Sequence, residues 1–314
     1  MVGKLSDDRL ASASRMPVFY CWLIAREAHP YSTPNDELRR SIAAKNGEPR
    51  PEQPHSEPAY CGNLFEGTIV KDVCDSLGLG EPVLSPPVYE APDRSWQCSL
   101  DAFVQVPQPI IVFASDLVEI EGDISSIALE GPIPIEVKTT GDHFTGKVPL
   151  YRGPVQLQMQ MMALDAKFGI LATVHRGNLR HYKIYKCDPL MQQQLGDLAI
   201  EFRDRVNTET YYRPVSVDDC IKTHKGGDSD PVELPSLADD VERLVKLRQD
   251  AKGIDSEIEQ LQTKIMSEMQ DHEVAKVGPF VVQWPVRHYK AQPEKVTPAK
   301  DSRTIRLKTL QIRS

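Results

Sequence analysis

Ile133-Pro134-Ile135-Glu136-Val137-Lys138-Thr139 is the stretch on which the reading of the whole chain turns. Branched apolar residues alternate with charged ones, the period of a β-strand with one face in a core. Residues two apart on a strand share a face. Glu136 and Lys138 therefore project together, while Ile135 and Val137 turn inward. A carboxylate beside an ammonium at a strand end is the pair that metal-assisted phosphodiester hydrolysis needs. The carboxylate holds a divalent cation, and the lysine orients the attacking water or offsets charge in the transition state. The same triplet on an open strand is a surface ion pair worth under ~1 kcal/mol. Its meaning depends on what the rest of the chain places around it.

Working outward, Ser99-Leu100-Asp101-Ala102-Phe103-Val104 reads as a strand whose apolar pattern Asp101 interrupts. A carboxylate there is costly unless it is paired or binds a cation. Upstream, Phe65, Ile69, Val73 and Leu77 recur at steps of four and predict a helix over 63–77, ended by Gly78 and Gly80 and carrying Glu66. Downstream, Leu157, Met161 and Leu164 predict a helix over 154–166. On it Gln156 and Gln160 lie one turn apart, as a solvated polar stripe or as an amide pair reaching a phosphate or a water. Further strands are expected at 110–113, 124–129, 169–175 and 179–185, the last two a hairpin around Arg176-Gly177-Asn178. A helix over 189–206 should open with Asp188 as N-cap and Pro189 at its first position. The proline-rich stretch from His29 to Pro58 reads as an irregular excursion, and Met16 to Ala25 as a buried helix turn opened by Pro17. The fold class expected is α/β (α+β), a central mixed sheet flanked by helices.

In chain order the polar set is Glu66 on a helix, Asp101 on a strand, Glu136-x-Lys138 on a strand and Gln156 on a helix. This resembles the PD-(D/E)xK nuclease superfamily with its restriction-endonuclease-like core, and within it the YqaJ-type viral recombinases, relatives of phage lambda exonuclease. The segments that carry the resemblance are Leu10-Ala11-Ser12-Ala13-Ser14-Arg15, Gly62-Asn63-Leu64-Phe65-Glu66, Ser99-x-Asp101 with Glu136-Val137-Lys138-Thr139, and Tyr151 followed by Gln156-Leu157-Gln158-Met159-Gln160-Met161. Together they span roughly residues 5–215. The resemblance implies an exonuclease that resects one strand of linear duplex DNA from its 5′ end and hands the 3′ single strand to a single-strand annealing protein in phage-type recombination. It implies Mg²⁺, with Mn²⁺ as a substitute, held as two ions by Asp101, Glu136 and the Val137 carbonyl, Glu66 assisting the second. Lys138 would position or deprotonate water and Gln156 would help hold it. Ser12, Ser14, Arg15 and Ser99 would cradle the 5′-phosphate. It also implies a homo-oligomer, in the family a trimeric ring, at work in the bacterial host cytoplasm.

The 34 residues between Asp101 and Glu136 exceed the expected spacing. They predict an insertion looping out over roughly 105–131 and leave Asp116 as a fallback ligand. Three rival readings stand beside the exonuclease: an endonuclease on the same metal core, a Cas4-like nuclease, and a catalytically silent DNA-binding protein. The Cas4-like reading needs an iron–sulfur cluster, which Cys187 and Cys220 alone do not supply.

The 314 residues are 40% hydrophobic and 26% charged, an ordinary globular composition that excludes collagen-like and wholly disordered classes. The longest apolar run has ten residues, too few to span a bilayer, and no membrane partner is expected. Six cysteines without any C-x-x-C pair read as reduced thiols of a cytoplasmic protein. The net charge of −8 is uneven: from Val286 onward eight Lys/Arg face two Asp/Glu, so the tail carries +6 and the rest −14. The expected organisation is a nuclease domain over 1–222, a linker over 223–236, and a helical, basic appendix over 237–314 for oligomerisation or DNA guiding. In that appendix Ile254, Ile258, Leu261, Ile265 and Met269 line one face of a long helix or of a helical pair broken near Gly253.

Overall fold

A computed structural model describes residues 9–48, 57–224 and 231–286. Two units divide between His224 and Lys225. The first opens with β1 (Ala11–Ser12), α1 (Met16–Phe19) continuing into a π-helical turn over Tyr20–Ala25, α2 (Pro34–Lys45) and α3 (Glu57–Leu77). Then come β2 (Val83–Leu84), β3 (Tyr89–Glu90), β4 (Trp96–Cys98), β5 (Ala102–Phe113), β6 (Val118–Ile120) and β7 (Ser126–Thr140). The unit ends with α4 (Pro154–Leu164), β8 (Phe168–His175), β9 (Leu179–Lys186), α5 (Pro189–Thr208) and α6 (Val217–Thr223).

The main sheet has six strands in the order β2-β5-β7-β8-β9-β6, and it is mixed: β5/β7 and β8/β9 are antiparallel, β7/β8 and β6/β9 parallel. A small second sheet runs β1-β4-β3. Helices cover both faces of the main sheet. On one, Val70, Val73, Cys74 and Leu77 of α3 pack on Val104, Ile133, Ile135 and Val137; each such Val or Leu contributes roughly 1.5–3 kcal/mol. On the other, Leu157 and Met161 of α4 meet Leu171 and Tyr185. The opposite side of α4, with Val155 and Met159, packs against Phe19, Leu195 and Phe202. Buried on every side, α4 is a core helix rather than a half-solvated one.

The expected insertion over 105–131 does not loop out. It is strand: β5 and β7 run on as one long hairpin whose register shifts between Val106 and Ile110, around Pro107 and Pro109. A bulge of this kind bends and twists the ribbon. The bend is large. Val118 lies in the same cross-strand row as Tyr182, Ala172 and Val137, whereas Phe113 pairs with Ser126. A flat sheet would put those rows ~36 Å apart. The five-residue step from Phe113 to Val118 reaches at most about 18 Å. The hairpin therefore curls back until its tip supplies the far edge strand, and Val112, Val118, Ile120 and Leu129 join the α3-side core.

Two further expectations give way. Residues 34–45 of the supposed excursion are α2, with Thr33 accepting from the Asp36 N–H as N-cap and Pro34 in the first turn. The 16–25 segment is only partly buried, since Ile24 stays 37% exposed. The 169–175/179–185 hairpin and the 189–206 helix are present, Asp188 capping α5 by accepting from the Met191 N–H.

In the second unit a 3₁₀ turn over Pro235–Leu237 leads into α7 (Ala238–Met269), one helix unbroken at Gly253, then β10 (Val274–Val277) and β11 (Phe280–Gln283) as an antiparallel hairpin. Ile254, Ile258, Leu261 and Ile265 are exposed on α7. The basic tail from residue 287 and linker residues 225–230 lie outside the described residues. Among the described residues no helix is long and apolar enough to cross a membrane.

Candidate active site

The site forms where β5 begins and β7 nears its end, between α3 and α4. Glu136 is fully buried, with Ile135 and Val137 packed on the α3 side of the sheet and Glu136 turned toward α4. Its Oε2 accepts from Gln156 Nε2 at 3.0 Å and, by a short bond, from Gln160 Nε2. Its Oε1 contacts the Lys138 ammonium as an ion pair, but not along a hydrogen-bonding direction. Lys138 Nζ donates instead to Gln156 Oε1 at 3.1 Å. The Gln156 amide thus bridges carboxylate and ammonium, and both of its ends are assigned by their partners. The three even-numbered glutamines of α4 are buried rather than a solvated stripe. Gln158 serves the fold, donating to the Lys186 carbonyl and accepting from the Asp188 N–H.

Asp101 Oδ2 accepts the Val137 N–H at 2.9 Å, which extends the β5/β7 ladder one step past its last backbone pair. Burial above all, then the Glu136 and Glu66 carboxylates, raises the Asp101 pKa well above the ordinary carboxylate range. The Glu66 pKa is raised too, first by burial and then by Glu136. Burial opposes charge on Lys138, but Glu136 and Asp101 outweigh it and its pKa is raised. The lysine is still reachable, its side chain keeping 30% of its surface.

Two glycines set the frame. A Cβ on Gly62 would come 3.2 Å from Thr139 Oγ1, so a larger residue there would press on the threonine and α3 lies closest to β7 with glycine. One turn on, the same helix face presents Glu66 to the site. Gly153, at φ +113°, caps α4 where a Cβ would sit 2.5 Å from the Leu171 side chain. That seat fixes where Gln156 and Gln160 enter.

The remaining expected residues divide. Ser12 pairs in register with Gln97, two residues before Ser99, and its Oγ lies 3.2 Å from that of Ser14. Ser99 joins the site through its backbone, its carbonyl accepting from Gln160 Nε2 at 3.4 Å. Arg15 is committed elsewhere: it donates to Glu37 Oε2 at 2.8 Å, the Glu37 carbonyl at 2.7 Å and Ser41 Oγ at 3.0 Å, and it stacks over Phe202. It fastens α1 to α2. Asp116 is exposed in the turn before β6, at the sheet edge opposite β5's side. Gln160 is the larger role than expected, since it holds the same oxygen of Glu136 as Gln156.

Among the described residues no group of three or more His, Cys, Asp or Glu side chains could by itself hold a metal ion. Mg²⁺ commonly takes one or two carboxylates and completes its shell with water and substrate oxygens. Glu136 and Asp101 bring two carboxyl groups together where burial above all, then the neighbouring carboxylates, raises the Asp101 pKa, and a divalent cation would offset that crowding of negative charge.

Among solved structures the chain is similar to the alkaline exonuclease LHK-Exo from Laribacter hongkongensis, at 13% identity and a TM-score of 0.44, over 64% of this chain and 89% of that one. It is similar to LHK-Exo in complex with dAMP at 12% identity and 0.43, over the same shares. It is also similar to SSO0001 at 11% identity and 0.36, over 64% and 79%. No family model and no curated protein matches the chain.

Proposed function

We propose that the chain is a metal-dependent deoxyribonuclease that resects one strand of linear duplex DNA from its 5′ end. The observation that carries this reading is a single constellation: Glu136 and Lys138 on one strand face, Asp101 locked to the residue between them, and Gln156 joining the two charges. Asp101, Glu136 and the Val137 carbonyl would hold Mg²⁺ or Mn²⁺, with Glu66 toward a second ion. A cation bound there supplies Lewis-acid polarisation of the phosphodiester and a water of lowered pKa. Lys138 carries its proton in the metal-free protein, because two carboxylates stabilise the ammonium. In that form it orients water and offsets charge on the phosphate. It can accept a proton only once those carboxylates are neutralised. Gln156 accepts from the ammonium while that group also pairs with Glu136, so the amide holds both in register. The 3′ single strand left behind would pass to an annealing protein, in a homo-oligomer that encloses the duplex.

The test is digestion of linear duplex labelled at one 5′ end, in Mg²⁺ or EDTA, with a closed circle and Lys138→Ala alongside. Mg²⁺-dependent loss of the linear substrate alone, abolished by the variant, supports an end-dependent nuclease. Cutting of the circle identifies an endonuclease instead. Intact DNA under every divalent metal rules out the catalytic reading.

A further inference from the structure

On β7 the face that carries Glu136 and Lys138 continues to Thr140, about 7 Å past Lys138. Thr140 Oγ1 accepts from Arg152 at 2.7 Å, and Asp142 accepts from the same nitrogen. The Arg152 guanidinium lies over the Tyr151 ring, 5.6 Å from its centroid. Tyr151 in turn belongs to a three-ring cluster. Its centroid is 5.6 Å from that of His29 and 6.1 Å from that of Tyr31, and His29 and Tyr31 are 5.9 Å apart. All three pairs are edge-to-face, with interplanar angles of 76°, 82° and 78°. Such an arrangement is attractive in itself, yet Tyr31 remains 73% exposed.

The cluster is held from behind. Trp22 donates its indole N–H to the Ser32 carbonyl at 3.0 Å, and Ser32 Oγ donates to Glu37 at 2.6 Å. The Tyr31 N–H donates to His29 Nδ1 at 3.3 Å, which makes that nitrogen an acceptor and leaves the imidazole uncharged. A largely exposed tyrosine supported by two rings has the chemistry that binds an unpaired nucleobase, a π-face to stack on, and Arg152, paired with Asp142, holds Tyr151 in place beneath it.

We propose that Tyr31, His29 and Tyr151, with Arg152 beside them, form a stacking platform for an unpaired nucleobase next to the phosphate that Lys138 addresses. The inference rests on the nuclease reading for its ligand, DNA. A base seated there would separate the strand being cut from its complement at the duplex end, and the platform would favour ends that are already frayed.

The experiment uses duplexes with 2-aminopurine at the 5′ end, either paired or in a three-nucleotide frayed end. Binding and emission are followed in EDTA, and hydrolysis separately in Mg²⁺. Wild type and Tyr31→Phe should bind the frayed end with quenched emission. Tyr31→Ala should bind it roughly 5- to 100-fold more weakly, lose the quenching, and keep its melting temperature and its affinity for a blunt, paired end. Equal frayed-end affinity and quenching in wild type and Tyr31→Ala overturn the platform, whether or not the protein hydrolyses DNA. Weaker binding accompanied by a lowered melting temperature, with quenching intact in the bound fraction, also overturns it, because the ring then only supports the loop. Quenching that depends on Tyr31 in a protein that cuts no DNA upholds the platform and overturns the nuclease reading alone. A wild type that binds no DNA end overturns both.

Discussion

The Asp101 carboxylate accepts the Val137 N–H at 2.9 Å, and Val137 is the residue between Glu136 and Lys138. One hydrogen bond thus ties the head of β5 to the end of β7 that carries Glu136 and Lys138, and sets the spacing of two carboxyls separated by 34 residues of sequence. The arrangement works against stability. Asp101 is half-buried beside another carboxylate, and desolvation first, then that charge, raises its pKa. Strain of this kind collects where a site is preformed for a ligand of opposite charge.

That strain has a pH signature. Because its folded pKa lies above its unfolded one, Asp101 favours folding fully below the unfolded value. The benefit is lost as pH rises through the folded value. In EDTA the melting temperature of the wild type should therefore fall between weakly acid and alkaline pH. Asp101→Asn keeps an acceptor for the Val137 N–H and removes the charge, so it should flatten the fall and melt higher at pH 8. Adding Mg²⁺ at pH 8 should raise the wild type and not the variant. Parallel pH curves for the two proteins would remove Asp101 as the cause.

How much of this was legible in the sequence depends on how local each signal was. The Glu136/Lys138 face followed from a period of two, and the α5 start from Asp188-Pro189, because both are properties of a few neighbouring residues. Helix α2 was hidden by the prolines around it, although Thr33-Pro34 followed by Asp36 and Glu37 is a helix start. The curl of the β5/β7 hairpin could not be read, since it depends on which edge β6 joins. The Arg15–Glu37 pair left no sequence signal, because its members lie 22 residues apart on separate elements. The ring cluster joins residues 29 and 31 to 151, a contact without local trace.

Gln160 should matter to the fold as much as to the chemistry. It is fully buried and shares Glu136 Oε2 with Gln156. Gln160→Leu keeps most of the volume and removes a hydrogen bond to a buried charge, which costs about 1.5–3 kcal/mol. Urea unfolding should show that loss. An unchanged midpoint would mean that Gln156 alone satisfies the carboxylate.

Arg15 offers a contrast between support and recognition. Its side chain is 17% exposed and Glu37 is 4% exposed, so Arg15→Met leaves a buried carboxylate with fewer donors. Ser32 and Arg40 still reach Glu37 Oε1, which limits the loss to roughly 1–3 kcal/mol. The variant should unfold at lower urea while its preference for 5′-phosphorylated over 5′-hydroxyl ends stays as in wild type. Loss of that preference at unchanged stability would instead return Arg15 to the phosphate.

Gly62 and Thr139 should be energetically coupled. In the interior of α3, Gly62→Ala gains up to about 1 kcal/mol of helix propensity. Its new methyl, however, meets Thr139 Oγ1 at 3.2 Å, and α3 or the threonine must yield by a few tenths of an ångström. In the wild-type background the two effects should nearly cancel. The displacement of Glu66 should still lower hydrolysis, because α3 carries that carboxylate. With Thr139→Ala the obstruction is gone, and Gly62→Ala should then stabilise by about 0.5–1 kcal/mol and leave the rate at the level of Thr139→Ala alone. A double-mutant cycle on stability and rate measures both. Additivity in the two readouts would show that the close approach of α3 to β7 does not set the position of Glu66.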